Sequence, residues 1–388
     1  MTYLVISSIF CAGGAIVVYW LHSQSQMDIV VAPAQPPTLT PLVSICIPAR
    51  NEEQNIRACV EAALTQDYPN FEVIVLDDRS TDATPRILTD LSARDSRLRL
   101  ISGSELPPGW IGKPHALHQA AAAARGAWLC FIDADTFLAP QALSSCYVKA
   151  LEVQADLLTT LHRQIMASFW EKTVLPIVVT ALSVGFSPRK VNDPAHKDAV
   201  ASGQFILIRR EIYDKIGGHA SVWDQIVEDQ AIAERVKWSG YRLVVADGSA
   251  LISTRMYTSL SSMWEGWTKN MYLGLRNRPN LLWLGVAGAS LALMAALFLP
   301  IWLGLGLWWA LNGGGIVALI ILAEALTIWC VVLTARGRTA RRMGISPLYS
   351  LSTPLGAGVF AAMMIASAWL SLSSQGVQWR GRRYVRPK

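Results

Sequence analysis

Glu72-Val73-Ile74-Val75-Leu76-Asp77-Asp78-Arg79-Ser80-Thr81-Asp82 decides the fold class. Glu72–Leu76 reads as a short buried strand that runs into a pair of acids. Ser80 or Asp82 is placed to cap a helix continuing to about Leu91. The same rhythm extends to both sides. Val43–Ile47 is an apolar strand, and Glu53–Leu64 has helical spacing, with Ile56, Val60, Ala63 and Leu64 on one side. Leu98–Ile101 is a third strand and Lys113–Ala124 an Ala-rich helix. Trp128–Ile132 is a fourth strand, ending in Asp133-Ala134-Asp135. Strands alternating with helices imply right-handed βαβ units, so the fold class is α/β with a mostly parallel, twisted sheet. In such sheets ligands bind at the carboxyl ends of the strands, where both acidic motifs fall.

The composition sets the surroundings of that sheet. Of 388 residues, 52 % are apolar and 16 % charged. Disorder is excluded by the hydrophobicity, and an ordinary soluble enzyme carries about 25 % charged residues. Residues 281–388 hold nine of the 34 Lys and Arg and one acid, Glu324; the rest of the chain holds 25 bases and 27 acids. The first 280 residues are therefore not basic, so the electrostatic footprint of a nucleic-acid binder is missing. Cys11, Cys46, Cys59, Cys130, Cys146 and Cys330 form no CxxC or zinc spacing and read as small core hydrophobes in a reducing compartment.

Apolar stretches flank the domain. Residues 1–22 read as an uncleaved transmembrane anchor: no basic region precedes the apolar run, as a cleaved signal peptide would require. Residues 23–42 are a Pro-rich linker, and 43–280 have the texture of a soluble domain. Residues 281–373 form a membrane region with apolar segments at 281–311, 316–334 and 347–372, followed by a basic tail at 374–388. Arg336, Arg338, Arg341 and Arg342 place their loop, and with it the catalytic domain, in the cytoplasm by the positive-inside rule. If the last segment crosses once, the basic tail lies outside, against that rule; if it dips in and returns, bending at Pro354, Gly356 or Gly358, the tail stays inside.

Four constellations carry the chemistry. Pro48-Ala49-Arg50-Asn51-Glu52 follows the first strand, and Asp77-Asp78 ends the second. Acids there can accept from a base N–H or ribose hydroxyls; turn and capping chemistry is the plainer account. Asp133-x-Asp135 offers two carboxylates to a hard cation such as Mg²⁺ or Mn²⁺. Glu228-Asp229 is a paired acid able to supply a general base, or simply a helix start.

Taken together and in order, these four resemble the family 2 glycosyltransferases, with their GT-A nucleotide-sugar-binding fold, over about residues 43–275. Leu106-Pro107-Pro108-Gly109-Trp110-Ile111-Gly112-Lys113, Arg255-Met256-Tyr257 and Trp264-Glu265-Gly266-Trp267-Thr268-Lys269-Asn270 are similar to strings in bacterial carotenoid- and hopanoid-associated members.

The resemblance implies roles. Ala49, Arg50, Glu52 and Asp78 would line the nucleoside pocket. Asp135, helped by Asp133, would hold a divalent metal on the diphosphate, and Lys113 would touch a phosphate. Asp229 would be the base and Glu228 would position it. His219 and Trp223 would shape the acceptor site or simply pack their loop. Many membrane members carry QxxRW after the acid pair; here Met263-Trp264-Glu265-Gly266-Trp267 stands instead. Only Trp267 matches, leaving Lys269 or Arg255 to hold the leaving diphosphate.

The function implied is a metal-assisted, inverting transfer from a nucleotide sugar, most simply a UDP-sugar, to a lipid. The enzyme would be a multi-pass protein of the bacterial inner membrane. A processive polysaccharide synthase and a non-catalytic sugar-nucleotide scaffold are the alternatives.

Overall fold

The computed structural model describes residues 27–185, 187–275, 279–372, 377–379 and 382–384. The anchor expected at 1–22 lies outside the described residues, as does much of the tail.

Four strands establish the parallel half of the main sheet: β1 (Val43–Ala49), β2 (Phe71–Asp77), β3 (Leu98–Ser102) and β4 (Trp128–Phe131). β1 is hydrogen-bonded on both sides, to β2 and to β4, and β2 to β3, all in parallel. The connecting helices are α1 (Ile56–Leu64), α2 (Thr84–Ser92) and α3 (Gly112–Ala123). Beyond β4 come β5 (Thr136–Leu138), α4 (Ala142–Glu152), β6 (Leu157–Leu161), β7 (Arg163–Gln164), α5 (Phe169–Gly185), α6 (Pro188–Asn192), β8 (Ile206–Arg209), α7 (Arg210–Lys215), α8 (Glu228–Trp238), β9 (Leu243–Asp247) and β10 (Ile252–Thr254). The main sheet has the order β3-β2-β1-β4-β8-β6-β9. β8 runs antiparallel to both its neighbours, and β6 and β9 are parallel. The expectation of a mostly parallel sheet therefore holds, with one reversed strand.

Strand residues alternate between the two faces, which sorts the core into two layers. Val43, Ile45, Ile47, Val73 and Val75 pack with α1, α2 and α4. Cys46, Ile74 and Leu76 pack with α3, α7 and α8. Both faces are thus covered by helices, which is why the strands read as nearly continuous apolar runs. Residues 27–42, the described part of the expected linker, are more than a tether. Val31 is fully buried and its amide donates to Asp247 O at 2.8 Å, so this segment extends the β9 edge.

The C-terminal helices are α9 (Leu260–Leu275), α10 (Pro279–Leu311), α11 (Gly315–Arg342) and α12 (Thr353–Leu372). A 3-10 turn (Pro347–Ser352) precedes α12, and a hairpin of β11 (Val377–Trp379) and β12 (Arg382–Tyr384) follows it. Among the described residues two helical stretches, Gly315–Arg342 and Pro347–Leu370, are long and apolar enough to cross a membrane; Pro300–Leu311 is a shorter apolar helix.

The expected dip at Pro354 or Gly356 is corrected: α12 is continuous through both. Gly356 is needed for close approach, since a Cβ there would stand 2.5 Å from Thr173 O on α5. α12 packs on α5 and α9 through a methionine-rich seam that includes Met263, Met271 and Met363.

Candidate active site

The carboxyl ends of β1 and β2 form one corner. Asn51 and Arg79 adopt left-handed backbone (φ 53° and 57°), turning each chain sharply as it leaves the sheet. The two loops then interlock. Asn51 N–H donates to Ser80 Oγ at 2.9 Å, Thr81 N–H to Asn51 Oδ1 at 2.8 Å, and Glu52 N–H to Thr84 Oγ1 at 2.8 Å. Glu53 N–H donates to Asp82 Oδ2, and Ala83 N–H returns a bond to Glu53 Oε2. Ala49 is buried, and its carbonyl accepts from Asp78 N–H at 2.7 Å. Arg50 Nη1 donates to Asp78 O at 2.6 Å and lies 3.9 Å from the Asp78 carboxylate, which is itself buried. A cleft of about 370 Å³ opens here, lined by Arg50, Arg79, Thr81, Glu105 and Leu106.

The second corner gathers residues from four segments. Lys113, in the first turn of α3, places Nζ 2.7 Å from Asp133 Oδ1 and 2.7 Å from Glu228 Oε1. Asp133 lies just beyond β4, and Glu228 and Asp229 open α8. The fourth segment is Ser202-Gly203-Gln204, leading into β8. Gly203 N–H donates to Asp229 Oδ2 at 2.9 Å, and Gln204 Nε2 donates to Asp133 Oδ2 at 3.0 Å. A Cβ on Gly203 would fall 3.0 Å from Lys113 Nζ and 3.2 Å from Asp133 Oδ2, so only glycine leaves the cluster its present spacing.

Electrostatics follow from this packing. Burial, reinforced by the charge of Glu228, pushes the Asp229 carboxyl up to about 6, although Lys113 opposes it. Burial works against the charged Lys113, yet the Asp133 and Glu228 carboxylates hold its pKa above the usual lysine range. Lys269, on α9, is lowered to about 8, chiefly by burial. The charged groups acting on it are Glu228, Lys113, Asp133 and Asp229, so α9 delivers it to this corner.

Asp135 stands on the turn into β5, with its carbonyl accepting from Thr254 Oγ1 at 2.9 Å. Asp133 and Asp135 are hard oxygen donors two residues apart, as Mg²⁺ or Mn²⁺ prefers. Asp133, however, has both carboxylate oxygens engaged, by Lys113 and Gln204. No group of three or more His, Cys, Asp or Glu among the described residues is arranged to hold a metal. Asp133 and Asp135 alone would leave most of a divalent ion's shell unfilled, so any ion held here would need substrate phosphates and water to complete it.

Two expectations are corrected. His219 is a core residue: it is 1 % exposed, Nδ1 lies 2.9 Å from Tyr213 Oη, and its ring stands edge-on to Phe131. Burial lowers its pKa to about 3, so it is neutral and has no charge to offer an acceptor. Arg255 does not face a diphosphate, because Nε donates to the fully buried Glu171 at 3.1 Å. Trp267 packs near Tyr257 in the methionine-rich seam. Trp223 is 41 % exposed and leans on Gly109 and Trp110; Ile111 N–H donates to its carbonyl at 2.8 Å. That bond sets the aromatic pair beside the Lys113 helix start.

Sequence reasoning missed Ser202, Gly203 and Gln204, which carry no charge. The available signal was a glycine directly before a buried apolar strand. It also missed His162, which burial lowers to about 4 and whose Nδ1 lies 3.4 Å from Ser202 Oγ.

Comparison with known proteins places this geometry. Residues 44–217 match the family model "Glycosyl transferase family 2". The chain is 29 % identical over 356 residues to 4,4'-diaponeurosporenoate glycosyltransferase of Staphylococcus aureus (strain bovine RF122 / ET3-1), covering 88 % of each chain. It is also 29 % identical over 358 residues to the same enzyme of strain MRSA252, again with 88 % of each covered. Among solved structures, a mannosyltransferase from Pyrobaculum calidifontis in complex with GDP-Man and Mn²⁺ superposes with a TM-score of 0.57 at 18 % identity. That superposition covers 94 % of this chain and 96 % of that one.

Proposed function

We propose, from the premise that this chain is a family 2 glycosyltransferase, that it glycosylates a membrane lipid by inverting transfer from a nucleoside-diphosphate sugar. The observation that carries the reading is the convergence of Lys113, Asp133, Glu228 and Asp229 beside the nucleoside-sized corner at the sheet's carboxyl edge. Ala49, Arg50, Glu52 and Asp78 hold the nucleoside, with a UDP-sugar the first donor to try. Asp135, assisted by Asp133, holds a divalent cation, which when bound offsets diphosphate charge; the Pyrobaculum enzyme was crystallised with Mn²⁺.

Asp229 takes the acceptor proton, and the acceptor oxygen attacks the anomeric carbon. The bond to the diphosphate breaks and its electron pair leaves with the nucleotide. A base with a pKa near 6 is ionised at neutral pH and still accepts a proton readily. Glu228 positions Asp229 through Lys113. Lys269 faces the charge that grows on the leaving diphosphate, the part that Arg255 does not play. Trp223 rims the acceptor side.

The S. aureus relatives are named for diaponeurosporenoate, which supports a long apolar acceptor ending in an oxygen nucleophile. α5, α9 and α12 pack together through a buried, methionine-rich core, which fixes the apolar helix α12 to the catalytic domain. Two helical stretches long and apolar enough to cross a membrane are consistent with a membrane protein; our reading makes it a multi-pass protein of the bacterial inner membrane, with residues 43–280 as catalytic domain and 281–373 in or on the bilayer. The arginines ending α11 support a cytoplasmic side for the catalytic domain, by the positive-inside rule.

The test uses full-length protein in detergent with Mn²⁺, a panel of radiolabelled nucleotide sugars, and total membrane lipid. Label in the organic phase, lost with Asp135→Ala, is the expected result. Label in water-insoluble polymer would replace this reading with a polysaccharide synthase.

A further inference from the structure

We infer that the groove between the C-terminal end of α11 and the 3-10 turn Pro347–Ser352 binds the headgroup of an acidic phospholipid. The inference rests on the membrane reading given above. The groove has a volume of about 390 Å³ and is lined by Leu333, Thr334, Gly337, Arg338, Arg341 and Pro347.

Its chemistry changes along the helix. Away from the groove, back along α11 toward its N-terminal end, Leu326 and Leu319 are exposed, an apolar face for an acyl chain. Toward the end, Arg338, Arg341 and Arg342 are exposed. Guanidinium groups match the geometry of a phosphodiester and bind it through paired hydrogen bonds. Among the described residues, none of Arg336, Arg338, Arg341 and Arg342 makes an ion pair. The partial negative charge at a helix C-terminus accounts for cations in the last turn, Arg341 and Arg342. It leaves Arg338, one turn earlier and lining the groove, without a role inside the protein.

The floor of the groove is open because Gly337 forms it. A Cβ there would meet only Pro347 Cβ, at 3.6 Å, so anything longer would project into the space. Leu348, Leu351 and Leu355 are exposed at 73 %, 60 % and 46 % on the turn and the start of α12. Apolar side chains next to arginines are the pattern of a segment that lies at the headgroup level of an anionic membrane.

The turn is also tied to the catalytic domain. Ser352 Oγ donates to Thr173 Oγ1 at 3.1 Å, and Tyr349 lies under Lys172 and beside Phe169 of α5. A lipid in the groove therefore braces the turn on which α5 rests.

The experiment uses the full chain in nanodiscs, with phosphatidylglycerol as probe and phosphatidylcholine as reference; bound lipid is read by native mass spectrometry. Two variants attack the groove by different means. Arg338→Gln with Arg341→Gln removes charge, and Gly337→Leu removes space while keeping every arginine. At about fivefold per arginine, the double variant should bind phosphatidylglycerol about twenty-fivefold more weakly. Gly337→Leu should lose it to a similar degree, with phosphatidylcholine retention unchanged. Equal phosphatidylglycerol retention in the parent and both variants overturns the inference. Displacement of the lipid by inorganic phosphate overturns it as well, assigning the groove to a soluble anion. Insertion into phosphatidylcholine discs with no preference for the acidic lipid sinks the groove alone, whereas failure to insert at all sinks the membrane reading with it.

Discussion

The two corners of the site are built on different principles. At the ends of β1 and β2, neighbouring residues in two short strings exchange several neutral or singly charged hydrogen bonds. Removing one leaves the others in place. At the ends of β4 and α8, one lysine sits between carboxylates contributed by distant segments, with a glycine amide and a glutamine amide closing the ring. Each of those charges is tolerated only because the others are present, so the cluster answers to single changes as a unit. The first corner is a redundant holder; the second is a poised electrostatic device. Binding should therefore degrade gradually with mutation, and turnover abruptly.

The sharpest way to break that contrast is Asp229→Asn. If Asp229 is the base, turnover falls by about 10²–10⁴ while nucleotide affinity stays within a few-fold. Single-turnover transfer and calorimetric titration with UDP measure the two separately. A parallel loss of both would mean that the corners are one unit. The size of the loss also informs on the acceptor, since a carboxylic acid reaches the site already ionised and needs the base less than a hydroxyl does.

Next is Gly203→Ala. Its Cβ would press on Lys113 Nζ and Asp133 Oδ2, forcing the cluster to open by a few tenths of an ångström. Small displacements of reacting groups cost up to about 10² in rate. The expected signature is a lower kcat with KM for the donor nearly unchanged. Lys113→Met removes the one cation that, among the described residues, bridges Asp133 and Glu228. Breaking a fully buried pair costs about 3–5 kcal/mol, but this lysine keeps a third of its side chain exposed, so about 2 kcal/mol is expected. Thermal unfolding reads the stability. The pH–rate profile should also shift upward, because the positive charge that holds Asp229 down has gone.

In the parent enzyme the rate should drop about tenfold per pH unit below about 6, as Asp229 takes up a proton. Stability moves the opposite way for this group. Its folded pKa lies above its unfolded value, so the penalty for keeping it ionised is present at neutral pH and is relieved as pH falls from about 6 toward 4. Glu72, buried in the sheet, has the reverse sign. Burial pushes it up, but hydrogen bonds from Arg125 and Ser44 hold it below its usual value, so its contribution is lost on acidification. Activity lost on acidification before the fold weakens would keep the two kinds of buried acid distinct.

The same contrast explains what the chain disclosed in advance. The parallel core was legible because strands buried on both faces must be continuously apolar, as Val73–Leu76 are. The first corner was legible because its partners are adjacent in sequence and rich in turn-forming acids. In the second corner, Lys113, Asp133 and Glu228-Asp229 could be named one by one, but nothing local says that they converge on one ammonium. Gly203 and Gln204 were silent because their contribution is a backbone amide and a neutral side chain. His219 misled, since a histidine after Gly217-Gly218 looks the same in sequence whether it faces a substrate or, as here, Phe131 and Tyr213. The seven-strand order, with β8 reversed, is a long-range property that no single stretch encodes.

The smallest expected effect is in the redundant corner, and it is the one that tests redundancy itself. Asn51 holds a left-handed backbone and accepts from Thr81 N–H. Asn51→Ala loses that acceptor and puts a less tolerant residue at positive φ, together about 1–2 kcal/mol. The bonds that end on Ser80, Thr84, Asp82 and Glu53 survive it, because those residues supply side-chain acceptors without using the Asn51 side chain. The loss should therefore appear as a roughly fivefold weaker nucleotide affinity with kcat unchanged. A change in kcat instead would show that the first corner transmits its geometry to the acid cluster.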